Sequence, residues 1–203
     1  MIWTTRRRSE GAGDLWFFDQ GTGPPLVLIH GVGLRAEAWL ALLPALTERY
    51  RVICVDMPGH GASPLMRTAA LDDFLSRLSD FVAGFAGPVR IGGHSMGALL
   101  AVELAACRPE QIVAVAALNT VFRRTPDAAR AVRARAQALA HSPAADPAPT
   151  LTRWFGAAPS GDLQDCAAAC RGWLTQADAD GYAAAYRVFA HQDGPSDASL
   201  TRL

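Results

Sequence analysis

The stretch RIGGHSMGALL, Arg90–Leu100, decides how this 203-residue chain is read. A strand-like apolar run passes directly into a helix-like apolar run, and at the join the hydroxyl of Ser95 stands between Gly93 and Gly97. The five residues from Gly93 to Gly97 fit the pattern G-x-S-x-G. A strand-to-helix turn that tight tolerates little beyond glycine at its flanks, and it lifts the serine above the carboxyl edge of a sheet. The amides opening the next helix then face developing negative charge. The plainer reading is a glycine-rich turn whose serine only caps a helix. Two further motifs weigh against it: HGVGL (30–34) and DMPGHGAS (56–63) each follow an earlier strand-like run, so three loops converge at one sheet edge.

Working outward, LVLIH (26–30), RVICVD (51–56), VRIGG (89–93) and IVAVAAL (112–118) are nearly continuous in apolar residues, as strands covered on both faces must be. Between them, AEAWLALLPALTERY, LDDFLSRLSDFVAGF and MGALLAVELAACRP carry apolar residues at helical spacing, and the last stops at a proline. Upstream, IWTTRR and DLWFFDQG suit two strands at an antiparallel edge. The expected fold class is α/β, a mostly parallel open sheet with flanking helices, over residues 1–121.

Composition shifts after Asn119. Residues 122–190 are rich in Ala and Arg and hold no strand-like run, so several short helices are expected there, followed by a segment at 191–203. Aromatic residues recur through this region. One reading has them gluing helices together; the other is a lid whose Phe122, Trp154 and Tyr186 line an apolar substrate pocket.

Half the residues are apolar and formal charge is zero, with 19 scattered arginines, no lysine and no basic block. That excludes the footprint needed to neutralise nucleic-acid phosphates. No apolar run approaches the ~18 residues of a membrane span, and no signal-peptide core follows the basic start, which points to a cytoplasmic protein. Cys54 and Cys107 fit small core positions. Cys166 and Cys170, four apart, lack the further ligands a metal site needs, so no metal is expected.

With its three motifs in order, the chain resembles the α/β-hydrolase superfamily, in its lid-bearing branch of small bacterial esterases and lactonases. That resemblance implies Ser95 as nucleophile, an oxyanion hole from the backbone amides of Val32 and Met96, elbow glycines Gly93 and Gly97, no cofactor and a small-molecule substrate. The implied reaction is hydrolysis of an ester, thioester or lactone through an acyl-enzyme. In the same resemblance His30, His60, His94 and Asp56 belong to turns rather than to the chemistry. Oligomeric state stays open.

A serine hydroxyl needs a base, usually an imidazole oriented by a carboxylate, and the family's chain order is Ser, acid, His. After the helical region only HQDGPSDASLTRL remains, with His191 ahead of Asp193 and Asp197. IVAVAAL, apolar on both faces, would make an unprotected outer strand. Both features lead to the expectation that the acid, the base and two more strands lie beyond Leu203. The alternatives are a non-catalytic or incomplete hydrolase-like fold, or carbon-carbon bond hydrolysis or perhydrolysis on the same elbow.

Overall fold

The computed structural model describes residues 6–11, 14–66, 69–141 and 146–203. Six strands form one sheet: β1 (Arg7–Arg8), β2 (Trp16–Gln20), β3 (Pro25–Ile29), β4 (Arg51–Val55), β5 (Val89–His94) and β6 (Ile112–Leu118), in the order β1-β2-β4-β3-β5-β6. β1 and β2 pair antiparallel with each other and β2 antiparallel with β4, while β3, β4, β5 and β6 run parallel. The antiparallel edge is therefore as expected, although residues 2–5 of the first expected strand lie outside the described residues. Asp19 of β2 accepts from both Nε (2.8 Å) and Nη2 (2.6 Å) of Arg51 on β4, a two-point pairing that holds the strands in register.

Continuous apolar strands need cover on both faces, and the crossover helices supply it. α2 (Leu71–Ala83) buries Phe74, Leu78, Phe81 and Val82, and Asp73 accepts the Ala70 amide at 2.8 Å to close its first turn. α3 (Met96–Cys107) is apolar all round and sunk against the sheet, with every residue from Met96 to Ala106 buried. It ends two residues before Pro109, whose ring excludes a helical predecessor.

Two local expectations need correction. The helix expected over 36–50 is a 3₁₀ segment (Ala36–Leu42) followed by a single turn, α1 (Leu43–Leu46). Pro44 has no amide to continue a ladder begun upstream, so the chain restarts with proline in the new first turn. Cys107 is exposed rather than core, because α3 runs out past the sheet there. Cys54 is buried as expected. The outer strand β6 is open on one side: Ile112 is buried, but Val113 is 54% and Leu118 43% exposed.

Every element described beyond β6 is a helix: α4 (Pro126–His141), α5 (Ala148–Phe155), α6 (Asp162–Gln176), α7 (Ala179–Ala190) and α8 (Asp197–Arg202). α4 packs on α7 through Ala136, Leu139, Tyr186 and Ala190, and Val32 from the loop after β3 packs against this cluster. α8 is anchored by the buried carboxylate of Glu103 on α3, which accepts the Ser196 amide (2.5 Å) and the Ser199 hydroxyl (2.6 Å).

Candidate active site

The join between β5 and α3 is tight. A β-carbon on Gly93 would sit 2.0 Å from the Gly97 carbonyl oxygen, and one on Gly97 would sit 2.2 Å from the Ile29 oxygen, so neither position has room for a side chain. Between them Ser95 has φ 57° and ψ −116°, a region costly for any residue but glycine. Its amide donates to the Leu118 carbonyl (3.0 Å), and its carbonyl accepts from the amides of Ala98 and Leu99, which locks the turn to β6 and to the helix.

The loop after β3 lies against this turn. A β-carbon on Gly31 would stand 3.2 Å from the Ser95 β-carbon, so the glycine of HGVGL is what lets the two loops touch. Two imidazoles fix that loop from below. His30 Nδ1 faces the Gly31 carbonyl at 2.8 Å, which makes Nδ1 the protonated nitrogen and leaves Nε2 to accept the Met57 amide at 3.0 Å. His60 Nε2 accepts the Gly33 amide at 3.0 Å, with Nδ1 toward the Pro58 carbonyl. Burial, the dominant cause, lowers His30 to about 4 and His60 to about 3. Asp56 accepts the amides of Ala36 (2.8 Å) and Ala62 (3.0 Å) and pairs with Arg6 at 3.1 Å; burial still leaves its carboxyl above the ordinary value. These three side chains spend their polar atoms holding loops, as the turn-motif reading expects.

Ser95 opens into a cavity of about 170 Å³ that lies between the sheet edge and helices α5 and α7. Trp154 and Tyr186, two of the three aromatics expected on a pocket wall, line it, together with Val32, His94, Thr150, Arg153, Tyr182 and Phe189. Phe122 is elsewhere: it is 52% exposed, with the Arg123 guanidinium 4.9 Å over its ring. The Met96 side chain is buried in the main core and does not reach the cavity wall. Among the described residues, the amides of Val32 and Met96 donate to no protein acceptor. A second, almost wholly apolar cavity of about 490 Å³ adjoins the first, sharing Gly31, Leu34 and His94 and walled by Trp39, Phe155 and Trp173.

No carboxylate lines the Ser95 cavity among the described residues, and its one imidazole, His94, is the elbow's own, its pKa lowered by burial. His191 ends α7 with Nδ1 on the Arg187 carbonyl, and Asp193 accepts the Arg124 amide; neither lines the cavity. No cluster of three or more His, Cys, Asp or Glu suited to a metal ion occurs among the described residues. Nor is any helix among them long and apolar enough to cross a membrane.

Thr150 and Arg153 are wall residues that the aromatic pattern does not mark, while Tyr182 is one of the recurring lid aromatics. Helical spacing offers a signal for them: Thr150 and Arg153 are i, i+3 on α5, and Tyr182 and Tyr186 are i, i+4 on α7, so each pair shares a face.

A mostly parallel sheet with a serine on a strained strand-to-helix turn, a glycine loop against it and helices above defines a hydrolase-type α/β fold. The chain belongs to the alpha/beta hydrolase family, whose model it matches over residues 26–202. It is 41% identical over 180 residues to an (E)-2-((N-methylformamido)methylene)succinate hydrolase of Acinetobacter baylyi, a match covering 87% of this chain and 67% of that protein. A pimeloyl-[acyl-carrier protein] methyl ester esterase of Methylococcus capsulatus is 35% identical over 104 residues, 51% of this chain and 40% of that one. The chain thus spans about two thirds of the first relative and well under half of the second. Among solved structures, a thermophilic esterase from Thermogutta terrifontis superposes with TM-score 0.76 at 22% identity, over 94% of this chain and 74% of its own. An enol-lactonase from Burkholderia xenovorans gives 0.71 at 24% identity, over 89% and 71%. At these identities the structures speak to fold alone.

Proposed function

We propose that this chain carries the nucleophile and oxyanion hole of a serine hydrolase acting on a small ester, thioester or lactone. The observation that carries the reading is Ser95 itself, held at φ 57° at the mouth of a cavity and touching the glycine loop. Such strain persists where surrounding structure over-determines it, and it clusters at working sites. The unpartnered amides of Val32 and Met96 support an oxyanion role, and each donor of that kind is worth roughly 10² to 10³ in rate.

In this reading Ser95 Oγ attacks the acyl carbonyl carbon, its proton passes to a base, and the two amides hold the oxyanion. The bond to the leaving group then breaks as that group takes the proton, and water hydrolyses the acyl-enzyme to release the acid. The Acinetobacter relative is named for a substrate that carries an N-methylformamido group, so an acyl-nitrogen bond belongs beside the acyl-oxygen bond among the bonds to test.

Because the cavity holds no base besides the elbow's His94 among the described residues, the test supplies one. The chain is treated with a fluorophosphonate while imidazole is varied, and the adduct is mapped by peptide mass. An adduct at Ser95 that forms faster with imidazole and is absent in Ser95→Ala is expected; no adduct at Ser95 at any imidazole concentration removes the assignment.

A further inference from the structure

Three hydrogen-bonding side chains, Thr150, Arg153 and Tyr182, line the otherwise largely apolar cavity that Ser95 opens into. Arg153 lines the cavity and makes no ion pair among the described residues. One turn earlier on the same face of α5, the buried Thr150 accepts from Arg135 Nη2 at 2.8 Å, and the Tyr182 hydroxyl oxygen accepts from the same Nη2 at 3.3 Å. A hydroxyl whose oxygen is engaged by a cation has its hydrogen left to give, and neither hydrogen finds an acceptor among the described residues. Arg135 has its guanidinium 5.4 Å over the Tyr186 ring, while its Nε is buried with no partner. A guanidinium and two hydroxyls with hydrogens to give therefore line a space of about 170 Å³, with a second cation, Arg135, bound to both hydroxyls, and no acidic side chain among the described residues lines it. In a chain of zero formal charge this is a local concentration of positive potential.

We infer that Arg153, Thr150 and Tyr182, backed by Arg135, bind a carboxylate of the substrate, so that the molecule hydrolysed at Ser95 carries a carboxylate besides its scissile acyl group. The inference rests on the Ser95 reading for what the site does, and it adds which substrates enter. One planar anion suits one planar guanidinium flanked by neutral donors, and such charge-assisted bonds are roughly twice as strong as neutral ones. Arg135 touches no ligand in this arrangement; it is a positioning residue that orients the two hydroxyls.

The test is equilibrium binding, which needs no turnover. The chain is titrated by calorimetry with succinate, with its uncharged diamide succinamide, and with inorganic phosphate. Succinate is expected to bind at least about tenfold more tightly than either of the others, and more weakly as salt is raised. Arg153→Ala should weaken succinate about ten- to a hundredfold, and Thr150→Val several-fold, while Arg171→Ala, which removes an exposed arginine of α6, should leave it within about twofold. Should Arg153→Ala fail to fold, the preference of the unaltered chain for succinate over succinamide decides the matter alone. Equal binding of succinate and succinamide, preference for phosphate, or an Arg153→Ala protein that binds succinate normally overturns the inference. Failure here leaves fluorophosphonate labelling of Ser95 untouched, and absent labelling leaves succinate binding untouched, so the two ideas fail separately.

Discussion

The missing β-carbon of Gly93 would occupy space already held by the Gly97 carbonyl, 2.0 Å away. The two glycines of the elbow are thus one steric unit, and the path of the chain through Ser95 depends on both. Gly93→Ala and Gly97→Ala should each cost about 3 kcal/mol or more, because the obstructing atoms are backbone and cannot swing aside. Denaturant midpoints of soluble protein, or loss of soluble protein altogether, check this.

Ser95 sits between them in a conformation that penalises a β-carbon, so its own replacement separates strain from chemistry. Ser95→Gly removes the penalty, worth about 1–3 kcal/mol, at an entropic cost of about 0.4–1 kcal/mol, whereas Ser95→Ala keeps the penalty. The glycine variant should therefore melt at a higher temperature than the alanine variant by an amount near 1 kcal/mol, with neither labelled by a phosphonate. Equal melting temperatures would mean that the turn stores no strain.

Much of this architecture is legible in residue order because it rests on local physics. The four parallel strands are apolar runs bounded by turn residues, and the elbow needs two glycines at fixed offsets from one serine; both are patterns a few residues long. What stayed hidden depends on packing between distant segments. Phe122 carries the same aromatic signal as Trp154, yet only the latter reaches the cavity, because Phe122 stands exposed in the segment between β6 and α4 with the Arg123 guanidinium over its ring, whereas α5 carries Trp154 to the cavity wall. Cys107 has the sequence context of a core residue and fails to be one by standing at the far end of α3. Arg135 and Arg153 read as two of many scattered cations until α4, α5 and α7 bring them to one wall. The break at Pro44 was readable: a proline midway through a helical pattern carries its own physical reason.

Glu103 gives a third prediction. Its carboxylate is the acceptor for the Ser196 amide and the Ser199 hydroxyl, and it lies at the positive end of α8. Glu103→Ala strands the buried Ser199 hydroxyl and a part-buried Ser196 amide and should cost about 2 kcal/mol, while Glu103→Gln keeps one acceptor oxygen and should cost roughly half that. Hydrogen exchange at 196–202 should rise in the alanine variant before global unfolding, since α8 has no other polar anchor on α3 among the described bonds.

His30 and His60 make the fold acid-sensitive in a defined window. Each holds a backbone amide on Nε2 and faces a carbonyl with Nδ1, so a proton added to Nε2 would set two donors against each other. In the unfolded chain both rings take up protons near pH 6.5, whereas in the folded protein they resist until about pH 4 for His30 and about pH 3 for His60. Between those limits the unfolded state binds more protons, so stability falls as pH falls, by about 1.4 kcal/mol per pH unit for each ring. Asp56, its carboxyl raised by burial, works in the opposite sense at the acid end, so the slope is best read between pH 6.5 and 5. His94, which burial also lowers, adds in the same sense, so unfolding free energies from denaturant titrations should fall ever more steeply from pH 6.5 to 5, and His60→Gln should remove one ring's share of the fall. The Gly31–Leu34 loop, whose Gly33 amide hangs on His60, should show faster exchange as pH falls, carrying the Val32 amide away from Ser95; a flat stability profile from pH 6.5 to 5 would rule this out.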